Sequence, residues 1–87
     1  MQIKGYDLHL TCGACPEQYD VFKDDEQVGY LRLRHGYFYA EYPDVGGVEV
    51  YHSSPKGDGV FYDDERMTEL TKAIDAIDNH IKNNEVK

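Results

Sequence analysis

Residues 28–42 constrain the fold more than any other part of this sequence. Apolar and polar side chains alternate over residues 28–34 and again over residues 37–42, and only His35 and Gly36 separate the two stretches. Alternation with a period of two is typical of a β-strand with one buried face, and a two-residue connection containing glycine favours a primed turn. The segment therefore predicts a β-hairpin.

Pairing outward from that turn gives the hairpin a register. Apolar residues then lie opposite apolar residues on one face, while tyrosines, arginines and a glutamate pair on the second face. A shift of one residue would mix the two sets, so the pattern specifies one register. The predicted pairs are Arg34 with Tyr37, Leu33 with Phe38, Arg32 with Tyr39, Leu31 with Ala40, and Tyr30 with Glu41.

Three further strands are predicted around the hairpin. Residues 6–10 alternate in the same way, residues 18–23 combine apolar and aromatic side chains, and residues 48–52 follow a loop rich in glycine. The predicted register of the last strand keeps apolar residues together, in the pairs Val48 with Tyr42 and Val50 with Ala40. The strands are therefore expected to lie within residues 5–53.

The C-terminal segment predicts a single amphipathic helix. Asp63, Asp64 and Glu65 supply N-cap candidates and place negative charge at the positive end of the helix dipole. Apolar residues then recur at spacings of 3, 4, 3 and 4, which puts them on one stripe: Met67, Leu70, Ile74, Ile77 and Ile81. A helix is therefore expected over residues 63–83, after a loop at residues 54–62.

Together these elements predict an α+β fold. A single domain over residues 1–87 would contain an antiparallel sheet of about four to five strands, with the C-terminal amphipathic helix packed on one face. One helix covers only one face of such a sheet. The second face is therefore the principal functional candidate.

The second face gathers the candidate binding residues. Tyrosine and arginine supply rigid contact area and bidentate hydrogen bonds, and both are enriched in binding hot spots. Three interpretations stay open: a solvated face, self-association as a homodimer, and binding of a different protein. In the predicted register, the candidate residues are Tyr30, Arg32, Arg34, Tyr37, Tyr39, Glu41, Glu49 and Tyr51.

The charge balance narrows the class of partner. The chain has 87 residues, with 17 acidic and 9 basic side chains and a formal net charge of −8. This balance disfavours direct binding to nucleic acid or anionic lipid, and it favours cationic proteins or proteins that themselves bind nucleic acid. No apolar run reaches the ~20 residues that span a bilayer, and residues 1–6 do not resemble a signal peptide. A cytoplasmic protein without a membrane segment is expected.

Cys12 and Cys15 form a CxxC spacing. Such a pair serves redox exchange where it begins a helix, but turn residues follow too soon here for a long helix. It also forms half of a zinc site, whose remaining two ligands would come from the histidines, namely His9, His35, His52 and His80. No second pair has ligand spacing, so reduced thiols in a tight turn are expected. A zinc-knuckle structural domain is the alternative.

Motifs of catalysis are not recognisable in the sequence. It has no nucleophile elbow, no phosphate-binding glycine loop and no metalloprotease motif. The carboxylates of Asp58, Asp63, Asp64 and Glu65 do not match the calcium-loop template, and we interpret them as helix capping. The chain is therefore expected not to be an enzyme and to need no cofactor.

Two segments resemble a group of small uncharacterised proteins encoded in bacterial phages and prophages. They read CGACPEQYDVF at residues 12–22 and GYLRLRHGYF at residues 29–38. The resemblance implies an accessory protein or inhibitor that binds a host protein, such as a defence enzyme that acts on nucleic acid. It assigns no role to any single residue.

The leading hypothesis is a non-enzymatic protein-binding module. It would bind either through the second face or as a mimic of DNA whose acidic surface occupies a basic groove. The alternative is a small-ligand binder, in which Arg32 and Arg34 among tyrosines hold a nucleotide or a short single strand. The residues proposed for the DNA mimic are Asp24, Asp25, Glu26, Asp63, Asp64 and Glu65.

Overall fold

The structure, a computed structural model, describes residues 1–13 and 16–85. Within these ranges the chain forms one antiparallel sheet of six strands followed by one helix, and strands adjacent in sequence are adjacent in the sheet. The elements are β1 (Gln2–Ile3), β2 (Tyr6–Gly13), β3 (Glu17–Lys23), β4 (Glu26–Arg34), β5 (Tyr37–Tyr42), β6 (Val48–Ser53) and α1 (Asp63–Glu85). No helix in the described ranges has the length and apolar character needed to cross a membrane.

The predicted α+β class with one C-terminal helix is confirmed, but the sheet has six strands rather than four to five. The additional strand is β1, which pairs through Gln2 and Ile3 with the start of β2. Lys4 and Gly5 form the turn between them with positive φ angles of 53° and 86°. A strand of two residues is too short to show alternation, which is why the sequence pattern misses it.

The central hairpin of β4 and β5 forms in the predicted register. All five predicted residue pairs are present. His35 and Gly36 both have positive φ, at 54° and 73°, as a primed turn requires. The pairing therefore separates the apolar face of the hairpin from the tyrosine and arginine face, as the alternation predicts.

The register of β6 agrees with the predicted one at Val48 and Glu49 and differs from it beyond Glu49. Val48 lies opposite Tyr42 as predicted, but Ala40 lies opposite Tyr51 rather than Val50. A β-bulge between these two pairs leaves Val50 as the extra residue. Val50 and Tyr51 therefore both pack against the core. From Tyr51 onward, each residue of β6 lies on the face opposite to the predicted one.

Helix α1 covers the face of the sheet that carries the apolar pairs. Leu70, Ala73, Ile74 and Ile77 are fully buried in the core. Met67 is instead 52% exposed, so its predicted place in the buried stripe is wrong. The sheet residues buried in the same core include Leu8, Val21, Leu31, Leu33, Phe38 and Ala40.

The acidic start of α1 is a capping structure. Tyr62 precedes the helix, and its carbonyl accepts the amide of Glu65 at 3.1 Å. The Glu65 carboxylate accepts the amides of Lys56, Gly57 and Tyr62 at 2.8, 2.8 and 3.0 Å. Burial raises the pKa of Glu65, but these hydrogen bonds outweigh burial and the pKa is lowered. The capping interpretation is therefore confirmed for Glu65.

A buried ion pair connects β3 to the start of α1. Glu17 is 3% exposed and accepts hydrogen bonds from Nε and Nη2 of Arg66 at 2.8 and 3.2 Å. The hydroxyl of Tyr19 and the amide of Phe61 also donate to this carboxylate. Burial raises the pKa of Glu17, but the hydrogen bonds outweigh burial and hold the pKa below its ordinary value. Arg66 thus takes the inward position in the first helical turn, and Met67 points away.

Gly29 lets α1 approach β4 closely. A Cβ at this position would lie 2.5 Å from Cδ1 of Ile77 and 3.2 Å from Cβ of Val21. We expect Gly29→Ala to lower the free energy of unfolding by about 2 kcal/mol, because the core must shift to admit the methyl group. Adding Ile77→Val removes the clashing Cδ1. In urea titrations, the double variant should therefore lose less free energy of unfolding than the sum of the losses in the two single variants. Strictly additive losses would contradict the close contact.

Candidate functional site

The face of the sheet opposite α1 has no described element packed on it, and we call it the open face. Its position follows from alternation, because its residues lie between core residues that face the helix. β3, β4, β5 and β6 all contribute side chains. The open face includes Gln18, Asp20, Tyr30, Arg32, Arg34, Tyr37, Tyr39, Glu41, Glu49 and His52. His9 of β2 lies on the same face, opposite Asp20.

Four rings form a continuous row across the open face. Tyr30 contacts Tyr39 edge to face with ring centroids 6.4 Å apart, and Tyr39 contacts Tyr37 at 5.8 Å. Tyr37 in turn stacks on His52 at 5.9 Å. Such contacts restrict ring motion, so the row presents a preformed surface. Tyr37 is 42% exposed and Tyr30 only 8%, so Tyr37 offers contact area whereas Tyr30 mainly supports its neighbours.

Hydrogen bonds hold this row at both ends. The Tyr30 hydroxyl donates to Gln18 at 3.1 Å, and the Tyr37 hydroxyl donates to Glu49 at 2.9 Å. Glu49 also lies 3.2 Å from Nδ1 of His52. The hydrogen bond to Glu49 raises the pKa of Tyr37, because it disfavours the ionised phenol. Glu49 therefore acts within the open face as a support for two of its rings.

The two arginines of the open face carry no ion pair within the described residues. No carboxylate there lies within 4.0 Å of Arg32 or Arg34. The Nε atom of Arg32 is buried and has no hydrogen-bond acceptor in the described part of the chain. A buried N–H without an acceptor costs about 1–3 kcal/mol. Within the described residues, the Nε–H group of Arg32 is therefore an unsatisfied donor.

Tyr51, a predicted binding residue, does not lie on the open face. Because of the bulge in β6, it faces α1, where its hydroxyl donates to Glu69 at 3.1 Å and its ring meets Phe38 edge to face at 5.9 Å. Burial raises the pKa of Tyr51. His52 lies opposite Tyr39 instead, in the position that was predicted for Tyr51. The sequence misses this exchange because Val50 and Tyr51 are both apolar enough for the core.

The other predicted site residues reach the open face. Arg32, Arg34, Tyr37, Tyr39 and Glu41 hold their predicted positions on β4 and β5. Glu41 accepts a hydrogen bond at 3.0 Å from the amide of Gly46, in the loop that leads to β6. This carboxylate therefore shapes the neighbouring loop.

The candidate zinc ligands are dispersed wherever the structure describes them. Cys12 lies half-buried in β2, and Cys15 is outside the described residues. His9 contacts the ring of Phe22, and His80 contacts that of Tyr42. Among the described residues, no group of three or more His, Cys, Asp or Glu side chains is arranged to hold a metal ion. The zinc-knuckle hypothesis stays a prediction.

The structure separates the acidic residues proposed for a DNA mimic. Asp24 and Glu26 lie at the β3–β4 turn, where they line a pocket of about 420 Å³ together with Asp78 of α1. Asp63 lies at the opposite end of this helix. At about 1.5 Å per residue, the two ends of the set are about 22 Å apart along the helix axis. In addition, the Glu65 carboxylate already accepts hydrogen bonds from three backbone amides.

Comparison with protein-family models, with curated proteins and with solved structures finds no match to this chain.

Proposed function

We propose that this protein is a non-enzymatic protein-binding module that binds its partner through the open face. The observation that carries the proposal is the row of rings beside two arginines that have no ion pair within the described residues. Aromatic and arginine side chains dominate the energy of protein interfaces. Rings already held by their neighbours lose little entropy on binding.

The mode of binding that this geometry favours is docking through the open face rather than imitation of DNA. The acidic residues of the DNA-mimic hypothesis form separate groups at the two ends of α1, and Glu65 is used for capping. The proposed partner is a host protein of the kind that the phage resemblance implies, and an accessory or inhibitory role follows from occupying its surface. A second copy of this chain is the other partner to be tested.

A second candidate function is binding of a nucleotide or short single strand. The observation that favours it is the position of Arg32 and Arg34 directly opposite Tyr39 and Tyr37. Such a set combines stacking surface with phosphate contacts. The net charge of −8 opposes a polyanion, so protein binding remains the leading proposal.

Tyr37→Ala is expected to weaken capture of the partner by at least about tenfold, because it removes the most exposed tyrosine of the row. The matched control is Tyr62→Ala, since Tyr62 is 57% exposed but lies at the start of α1. Affinity capture from host lysate with each tagged variant, followed by titration of the captured protein, measures the effect. Circular dichroism checks folding.

Two results would contradict the proposal. One is equal capture by wild type and Tyr37→Ala, and the other is an equal loss with Tyr62→Ala. Sedimentation of wild type and both variants over a range of concentrations decides whether the partner is a second copy, because self-association would then depend on Tyr37 and on concentration.

A further inference from the structure

Arg32 and Arg34, with Tyr37 and Tyr39 opposite them, form one end of the open face, which we call the arginine end. We propose that the arginine end is a carboxylate-binding site that takes an extended acidic segment of a partner protein. This inference rests on the proposed function and names the chemistry of its partner. The ligand class is a peptide with two carboxylates at alternate positions.

Of the three arginines of the chain, Arg66 has ion pairs with carboxylates, whereas Arg32 and Arg34 have none within the described residues. Several other basic residues of the chain pair with carboxylates, and these are Lys4, Lys56, Arg66 and Lys82. Arg32 and Arg34 do not, within the described residues, although the chain has 17 acidic side chains. Guanidinium groups bind carboxylates through paired hydrogen bonds, so an acidic side chain is their complement.

The spacing of the arginine end defines the shape of the ligand. Arg32 and Arg34 are alternate residues of β4, so their Cα atoms lie about 7 Å apart on the same face. Alternate residues of an extended peptide have the same separation. A segment lying along β4 would therefore place its first and third side chains over the two arginines.

The neighbouring groups hold the site in place. Tyr39 lies opposite Arg32, and Tyr37 lies opposite Arg34, and the two rings contact each other with centroids 5.8 Å apart. The buried Nε of Arg32 keeps its guanidinium against the sheet.

The carboxylates of the open face limit how long an anionic ligand can be. Asp20 and Glu41 flank Tyr30, which is one alternate position before Arg32 on β4. A continuous phosphate chain that ran along β4 would meet these two carboxylates, whereas a peptide with two acidic side chains occupies the arginine end alone. The geometry therefore favours an acidic peptide over a nucleic acid.

The test uses a synthetic peptide of threonine and glycine with two glutamates at alternate positions, and a matched peptide with glutamines instead. Titration of the ¹⁵N-labelled protein at physiological salt follows the backbone amide resonances. The glutamate peptide should shift the resonances of β4 and β5 at the arginine end, and the glutamine peptide should not. Binding should weaken as salt is raised. Shifts confined to other parts of the chain would overturn the inference.

Substitutions locate the charge that matters. Arg32→Gln and Arg34→Gln should each weaken binding of the glutamate peptide by about tenfold. Lys72→Gln is the matched control, because it removes one positive charge of α1 that also has no ion pair within the described residues. An equal loss with Lys72→Gln would show general charge attraction and would overturn the site. Tighter binding of oligothymidylate than of the peptide would assign the arginine end to nucleic acid instead.

Failure of this inference is distinct from failure of the proposed function. If Tyr37→Ala abolishes capture of the partner while Arg32→Gln and Arg34→Gln do not, the open face binds a protein without a carboxylate contact. If the glutamate peptide binds at the arginine end but Tyr37→Ala leaves capture unchanged, the carboxylate site stands and the open face is not the partner's interface.

Discussion

Glu17→Gln is expected to lower the free energy of unfolding by about 3 kcal/mol, because the removal of one member of a buried ion pair leaves the other charge uncompensated. Glu17 is 3% exposed, and its carboxylate accepts four hydrogen bonds, from Arg66, Tyr19 and Phe61. We place the loss at the lower end of the usual range, since the side chain of Arg66 is 24% exposed and retains its contact with Asp63.

Asp63→Asn is the matched control for Glu17→Gln. Asp63 pairs with the same arginine at 2.7 Å, but its side chain is 98% exposed. Water screens this pair, so the control should change the free energy of unfolding much less. Urea titrations of the three proteins measure the difference. Similar losses in free energy of unfolding in both variants would show that the stabilisation by Glu17 does not depend on its burial.

The stabilisation by Glu17 should also depend on pH. Its pKa in the folded protein is below the ordinary value of 4.5, so the folded state binds this proton less readily than the unfolded chain. The contribution is therefore fully present above about pH 4.5 and is lost as the pH falls through the lowered pKa. The difference between wild type and Glu17→Gln should shrink over that acidic range. A constant difference between neutral and acidic pH would contradict the pKa shift.

Ile77→Ala is expected to lower the free energy of unfolding by about 3 kcal/mol, because it removes three carbon atoms from the centre of the core and leaves a cavity. Ile77 is fully buried between α1 and the sheet, and it packs over the glycine at position 29. The neighbouring buried residues of α1, Leu70, Ala73 and Ile74, still hold the helix at its distance from the sheet and limit how far it can collapse into the space. The variant should therefore retain most of the cavity.

Met67→Ala is the matched control for Ile77→Ala. The apolar periodicity of the sequence treats the two residues alike, but Met67 is 52% exposed. Its replacement should change the free energy of unfolding by less than about 0.5 kcal/mol. Denaturation by urea, with equal slopes for all proteins, gives the comparison. Equal losses in free energy of unfolding would indicate that Met67 is buried as Ile77 is, and would contradict the orientation of the first helical turn.

The hairpin shows where sequence reasoning succeeds on the candidate site. Alternation along β4 and β5 has only one register that separates apolar from polar residues, and the turn at His35 and Gly36 supports the same register. Arg32, Arg34 and Tyr37 therefore reach the open face as predicted. Local pattern and global burial agree here, so no tertiary information is needed.

The bulge in β6 shows where sequence reasoning fails. The sequence at Val50 and Tyr51 is compatible with a regular strand, in which only one of the two side chains faces the core. It is equally compatible with a β-bulge, in which both side chains face the core. The choice depends on the contacts of Tyr51 with Glu69 of α1 and with Phe38 of β5. These residues are distant in sequence, so alternation within β6 carries no record of them. The exchange of Tyr51 for His52 on the open face follows from that choice.

The sequence by itself determined the α+β class, the central hairpin with its register, and the single C-terminal helix, because each depends on a periodicity that short segments carry. Only the tertiary structure decided the sixth strand, the inward turn of Arg66 onto Glu17, and the membership of the open face. The orientation of Arg66 and the membership of the open face depend on contacts with distant elements, whereas β1 is too short to carry a periodicity. The open face is therefore centred on Arg32, Arg34, Tyr37, Tyr39 and His52.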